Sequence, residues 1–305
     1  MQQVGILLRS LSLGLLCVVS TANLCWADQT GTLLLAHGQH AMGPAGHAHH
    51  HAPPSPNTPP SPPTSPWNQN VEALAKELNK STPTEVAFGM AEPEAMQAAI
   101  DRLTARGVTD IVAVPLFISS YSPIIENFQY ILGLRPTLAT KTSLKSLDRI
   151  KTRAKIRLTG ALDDHPLVSQ ILLERAKALA PAPATTTVIL IAHGPNDEED
   201  NRLWLKSMQV HAAYLKANGG FRSVEFLTAR DDADDRIKGA ATVDFQKRVT
   251  EASKNGQVVV VPVLLSEGGI EKEVEGQLKG LKYAFAPPLM LHMNFVLLIK
   301  EKIKQ

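Results

Sequence analysis

The chain has almost no cysteine. Among 305 residues the only thiols are Cys17 and Cys25, and both fall in an N-terminal stretch that reads as an export leader. Arg9 precedes the apolar run from Leu11 to Val19, and Cys25-Trp26-Ala27 then stands before Asp28. That apolar core is shorter than the ~20 residues of a membrane span, so residues 1–27 are expected to be a signal peptide cleaved after Ala27. The protein would then be periplasmic or secreted, with no stable membrane span; an uncleaved anchor is the alternative. A mature chain from Asp28 onward contains no thiol, which excludes disulfides, thiolate metal sites and cysteine nucleophiles. Any metal chemistry rests on His, Asp and Glu. Excess charge is also scarce. With a net charge of +2, aromatics at 5% and no basic stripe interleaved with them, nothing points to nucleic acid.

What is present is a repeat. Thr32-Leu-Leu-Leu-Ala-His37-Gly38 and Thr187-Val-Ile-Leu-Ile-Ala-His193-Gly194 are short apolar runs that each end in His-Gly. Continuous apolar runs of this length suit parallel strands covered on both faces. A histidine at the carboxyl end of such a strand stands where open α/β sheets hold ligands. Its recurrence indicates an internal duplication.

Other segments match in order. Thr84 to Ala91 reads as a second strand, with Pro93 opening a helix whose face carries Met96, Ile100 and Leu103 and which stops at Gly107. Ile111 to Ile118 reads as a third strand with Pro115 inside it; Val258 to Leu265 repeats the pattern around Pro262. Proline is poorly tolerated in a central strand, so each is expected to open there into a shaped loop. Val71, Leu74, Ala75 and Leu78 stripe one helix, Pro166 to Ala180 forms another, and Trp204, Met208, Ala212 and Leu215 stripe a third. Alternating strand and helix predict an α/β protein with two tandem halves, each a parallel sheet flanked by helices, around a cleft. The expected division is residues 28–150 and 151–305.

Between the first strand and its helix lies an insert, residues 39–66. Six of the ten histidines fall between 37 and 51, and a Pro/Ser/Asn/Thr stretch from Ala52 to Pro66 follows. Its glycines and prolines offer no rigid frame, so His40, His47, His49, His50 and His51 are expected to collect borderline cations near His37 rather than form one fixed site. A buffering tract with no catalytic link is the plainer reading.

The His37-Gly38 strand, the Ala91-Glu92-Pro93 turn and the Val114-Pro115-Leu116-Phe117 strand, in that order, resemble the class II chelatases. The match is nearest to the CbiX-type sirohydrochlorin cobaltochelatases, in a long form with two fused halves, related to sirohydrochlorin ferrochelatase. The resemblance implies paired four-stranded parallel sheets and insertion of a divalent metal into a tetrapyrrole, without ATP or another cofactor. The metal, Co²⁺ foremost with Fe²⁺, Ni²⁺ or Zn²⁺ as others, is then a substrate, and a monomer is expected to suffice. His37 matches the family's first-strand histidine, a metal ligand and proton acceptor, and Glu92 matches the acidic residue after the second strand. The family's second histidine follows the third strand; here that loop is Ile118-Ser-Ser-Tyr121-Ser-Pro123, and Tyr121 stands nearest its place.

Neutral imidazole beside carboxylate suits Co²⁺, Ni²⁺, Fe²⁺ and Zn²⁺ without the grip of thiolate. His193 is a candidate second ligand. The acidic residues Asp197 to Asp200 after it read equally as a helix start, and Arg230-Asp231-Asp232, at the place corresponding to Glu92, as a solvated charge run. Glu267, in the second half's strand-end loop, is a candidate base. His165, His211 and His292 read as structural. A non-catalytic periplasmic metal- or tetrapyrrole-binding protein of the same fold is the alternative function.

Overall fold

The computed structural model describes residues 29–38, 65–138, 148–231, 233–290 and 292–305, the side chains of 269 and 270 excepted. The leader and the histidines at 40, 47, 49, 50 and 51 lie outside the described residues, as does Asp232.

The first half comprises β1 (Thr30–Ala36), α1 (Pro66–Leu78), β2 (Thr84–Phe88), α2 (Pro93–Ala105), β3 (Asp110–Pro115), α3 (Pro123–Ile131) and β4 (Lys155–Leu158). The chain continues through α4 (Pro166–Leu179), β5 (Thr187–Ala192), α5 (Glu198–Gly219), β6 (Ser223–Thr228), α6 (Asp235–Ser253), β7 (Val258–Pro262), α7 (Gly269–Gln277), β8 (Ala284–Phe285) and α8 (Met293–Lys304). Two four-stranded sheets result, ordered β2-β1-β3-β4 and β6-β5-β7-β8, with every pairing parallel. The duplicated α/β architecture is therefore present, and the two His-Gly pairs end the corresponding central strands β1 and β5.

Three boundaries differ from those expected. β2 ends at Phe88 rather than Ala91, because Gly89 at φ 135° and Ala91 at φ 59° leave extended backbone. Pro66 belongs to α1 and not to the insert: it opens the helix behind Ser65, whose hydroxyl accepts from the Asn68 amide at 3.2 Å. The first sheet closes only at β4, beyond the 150/151 division anticipated from the sequence.

Pro115 and Pro262 sit at the last positions of β3 and β7. The Leu116 amide bonds the Leu35 carbonyl at 2.8 Å, so the missing Pro115 N–H faces the opposite neighbour, β4, which has ended at Leu158. Val263 bonds Ile191 at 2.7 Å, and β8 likewise ends before Pro262 would need it. Each proline thus costs no ladder hydrogen bond and releases the loop that follows.

Burial explains why the halves do not separate. The outer face of the first sheet (Leu33, Leu35) packs on Met96 and Ile100 of α2 and Phe128 of α3. The outer face of the second (Ile189, Ile191) packs on Phe245 and Val249 of α6. The inner faces, Leu34 and Val112 of one and Leu190 and Val261 of the other, share a single core with α1, α4, α5 and α8. Helices are exchanged within it. α4 follows β4 yet packs on β7 and α5, whereas α8 follows β8 and packs on β3, α1 and α4.

Candidate functional site

His37 leaves the end of β1 with an exposed side chain. Its carbonyl accepts the indole N–H of Trp67 in α1. The neighbouring strand end is built around glycine. The Gly89 amide bonds the Ala36 carbonyl at 2.9 Å, and a Cβ on Gly38 would lie 3.4 Å from the Gly89 nitrogen. A Cβ on Gly89 would stand 2.7 Å from Cδ and 3.0 Å from Oε2 of Glu92. The Glu92 carboxylate is therefore folded back over Gly89, beside the strand from which His37 emerges. Although Glu92 occupies the N-cap of α2, its side chain makes no capping hydrogen bond. The structure thus brings Glu92 and the His37 strand end to one edge of the sheet.

This geometry carries a prediction. Gly89→Ala introduces a methyl group into the space of the Glu92 carboxylate and strains a φ of 135°. Metal binding should weaken about tenfold or more, while Gly133→Ala, where a Cβ meets nothing within 4 Å although φ is also positive, should leave it unchanged. Isothermal titration with Co²⁺ reads the difference.

Tyr121 lies at the same edge, in the loop after β3, and is 42% exposed. Its amide donates to the Ser119 hydroxyl at 3.2 Å, and its carbonyl accepts the Trp204 indole N–H at 2.8 Å. The hydrogen bonds that hold it therefore run to its own loop and to α5 of the second half. The reciprocal crossing is made by Asn70 of α1, whose amide donates to the Ser266 hydroxyl at 2.7 Å. Trp67 and Asn70 lie one turn apart on α1, so His37 and the second half's Ser266 loop border the same helix. Glu267 in that loop is exposed; burial first, and its charge second, push the Glu271 carboxyl above its ordinary range.

The second half departs from its counterpart. His193, half-buried after β5, has Nδ1 3.5 Å from Oδ2 of Asp231, whose other oxygen accepts from Gln277 Nε2 at 3.0 Å. Arg230 is 5% exposed, with φ at 58°, and its guanidinium donates to the Asn196 carbonyl at 2.7 Å and to the Glu198 carboxylate at 3.2 Å. A solvated charge run is therefore not what Arg230 and Asp231 form. The backbone turn after β6 tucks both side chains inward, where each finds a partner. Asp231 and Gln277 were not legible as neighbours of His193, since nothing in the sequence signals a turn that buries charge. Asp197 caps α5, accepting from the Glu199 and Asp200 amides.

His165 and His292 cap α4 and α8, and each also faces a glutamate. His211 is 1% exposed within α5. Its Nε2 donates to the Asp163 carbonyl at 2.9 Å, an atom that can only accept, so Nδ1 accepts from the Ser169 hydroxyl at 2.7 Å. Burial holds the imidazole below its ordinary range, opposed by Asp163 and Asp164, with His165 adding to the lowering. The unfolded chain therefore takes up this proton at higher pH, near 6.5, than the folded one. Stability should be full above that pH and fall as pH drops through it. Urea midpoints at pH 7.5 and 5.5 should differ, and His211→Gln should flatten the difference; equal wild-type midpoints would contradict this.

Two cavities among the described residues lie elsewhere. One of about 510 Å³ is lined by α1 and α8, and one of about 850 Å³ lies by Asp110, Lys155 and Arg157 at the opposite end of the first sheet. Among the described residues no group of three or more His, Cys, Asp or Glu side chains is placed to hold a metal ion.

Residues 63–179 match the CbiX family model. Over those residues the chain is similar to the CbiX family. The matched segment holds Glu92 and Tyr121, and begins after His37. Solved structures extend the likeness to the chelatase fold of both halves. SirB from Bacillus subtilis, determined with Fe³⁺, aligns over 90% of this chain and 94% of its own at a TM-score of 0.61 and 15% identity. CbiX, described as the terminal enzyme for siroheme biosynthesis in denitrifying bacteria, aligns over 90% and 98% at 0.54 and 18%. DR2241 from Deinococcus radiodurans, described as a multi-domain protein with structural similarity to chelatases and two additional domains, aligns over 91% of this chain at 0.53 and 17%. The chain spans only 55% of DR2241. At these identities the likeness is one of fold. No curated protein sequence matches the chain.

Proposed function

We propose that this protein is an exported tetrapyrrole metal chelatase that inserts a divalent metal, Co²⁺ foremost and Fe²⁺ or Ni²⁺ as others, into sirohydrochlorin or a related macrocycle. The observation that carries this reading is the Glu92 carboxylate folded over Gly89 at the strand end of His37, on a chelatase fold. Insertion exchanges two pyrrole N–H protons for one M²⁺. It needs ligands that hold the ion weakly, a base for the protons, and a surface that orients the ring. One imidazole and one carboxylate leave coordination positions open for the pyrrole nitrogens, as a closed four-ligand site would not. His37 serves as principal ligand, Glu92 as second ligand and proton acceptor, and Tyr121 as a further polar group at the same edge.

His193, with Asp231 behind it, is the candidate second metal position, and the insert histidines His40, His47, His49, His50 and His51 raise the local metal concentration beside His37. The test is optical. Purified protein with sirohydrochlorin and Co²⁺ should convert the free-base spectrum to the metallated one faster than a protein-free control. Equal rates with and without protein would reject the enzymatic reading in favour of a metal- or tetrapyrrole-binding protein.

A further inference from the structure

We propose that Asp163 is a positioning residue that sets the Tyr121 loop and ties it to the second half. Its kinetic consequence rests on the chelatase reading above; its structural consequence does not. The loop after β3 has little regular structure of its own, yet it is held at several points by one short segment. Oδ1 of Asp163 accepts from the Ser120 amide at 2.7 Å, and Oδ2 accepts from the Ser120 hydroxyl at 2.6 Å. The Ser120 oxygen accepts in turn from the Ala161 amide at 2.8 Å. The Leu162 and Asp163 amides bond the Phe117 and Ile118 carbonyls at 3.0 and 2.9 Å. Both loops are thereby zipped together, with Asp163 at φ 45°, a conformation that Asp and Asn tolerate better than most residues.

The same residue faces the other half. Its carbonyl accepts from His211 of α5, and His211 is fixed by Ser169 of α4. Lys302 of α8, 5% exposed, donates to the Gly160 carbonyl at 3.1 Å. Two helices of the shared core, α5 and α8, thus bond the segment 160–163, and α4 braces it through His211. α5 closes the circuit, because Trp204 on that helix holds the Tyr121 carbonyl while His211, further along it, holds Asp163. The Ser120 clamp and the Trp204 bond flank Tyr121 on consecutive residues. A displacement of Asp163 therefore moves Tyr121 relative to α5, and with it the edge where the first half meets the second.

The test compares Ser120→Ala, Ser120→Thr and Asp163→Asn in the full chain. Asp163→Asn retains the shape and the φ but leaves one oxygen to accept where the carboxylate offers two; Ser120→Ala removes the hydroxyl's bonds to Asp163 and to the Ala161 amide without touching the φ. The indole N–H resonances, assigned from Trp→Phe variants, report each site separately. Ser120→Ala and Asp163→Asn should shift the Trp204 indole resonance and leave that of Trp67 in place, and Ser120→Thr should restore it. In the insertion assay kcat should fall about ten- to a hundredfold while KM for metal stays unchanged. A Trp204 resonance that does not move in either variant would overturn the proposal. Should wild-type protein insert no metal, the chelatase reading fails and the Trp204 result still decides the role of Asp163.

Discussion

His37→Ala should abolish metal insertion and tight Co²⁺ binding while shifting the melting temperature by no more than about a degree. The imidazole is exposed, so its removal opens no cavity. The carbonyl at this position receives the Trp67 indole, and alanine keeps that bond. Loss of the imidazole is therefore expected to act on function more than on the fold. Calorimetric melting alongside Co²⁺ titration measures both. Undiminished binding would move the site to His193, whose Nδ1 lies 3.5 Å from the Asp231 carboxylate.

The second large effect concerns the shared core. Leu190 is fully buried on the inner face of the second sheet, in the same cluster as Leu34 and Val112 of the first. Leu190→Ala should cost about 2–5 kcal/mol, from lost apolar transfer and the cavity left behind. For a domain of this size the melting temperature should fall by roughly 5–15 °C. Because α4 and α8 are exchanged between the sheets, the loss should lower one cooperative transition rather than melt the second half first. Calorimetry showing two separated transitions, with the first half's unchanged, would contradict a common core.

Much of the architecture was legible because buried parallel strands must be apolar throughout. β1 and β5, each a run of aliphatic residues, are buried along almost their whole length, and the duplication followed from their shared His-Gly ending. The repeated proline was informative for the same reason, since a residue without an N–H can stand only where a ladder stops. Short edge strands were not legible: β4 and β8 are four and two residues long and half exposed, so neither gives a periodic signal. Helices α3, α6, α7 and α8 also went unread; α3 and α7 are short, and α6 buries only Phe245 and Val249 along its 19 residues.

At the site, the sequence identified His37 and Glu92 as residue types but not the fold of the Glu92 carboxylate over Gly89. That fold depends on Gly38 and Gly89 leaving room between adjacent strand ends, a condition set by sheet register. Arg230 and Asp231 looked like surface charge because a charged tripeptide usually is; only the backbone turn after β6 buries them. Asp163 was silent, lying between a strand too short to detect and the helix it precedes.

The measurement that bears most directly on the central claim is the number of metal ions inserted per protein chain. Substoichiometric protein, mixed with excess sirohydrochlorin and Co²⁺ and followed by the absorbance of the metallated product, should deliver many product molecules per chain above the protein-free rate, and none above it with His37→Ala. Product formation that stops at one equivalent per chain, or that is equal for wild type and His37→Ala, would contradict a chelatase working at the end of β1.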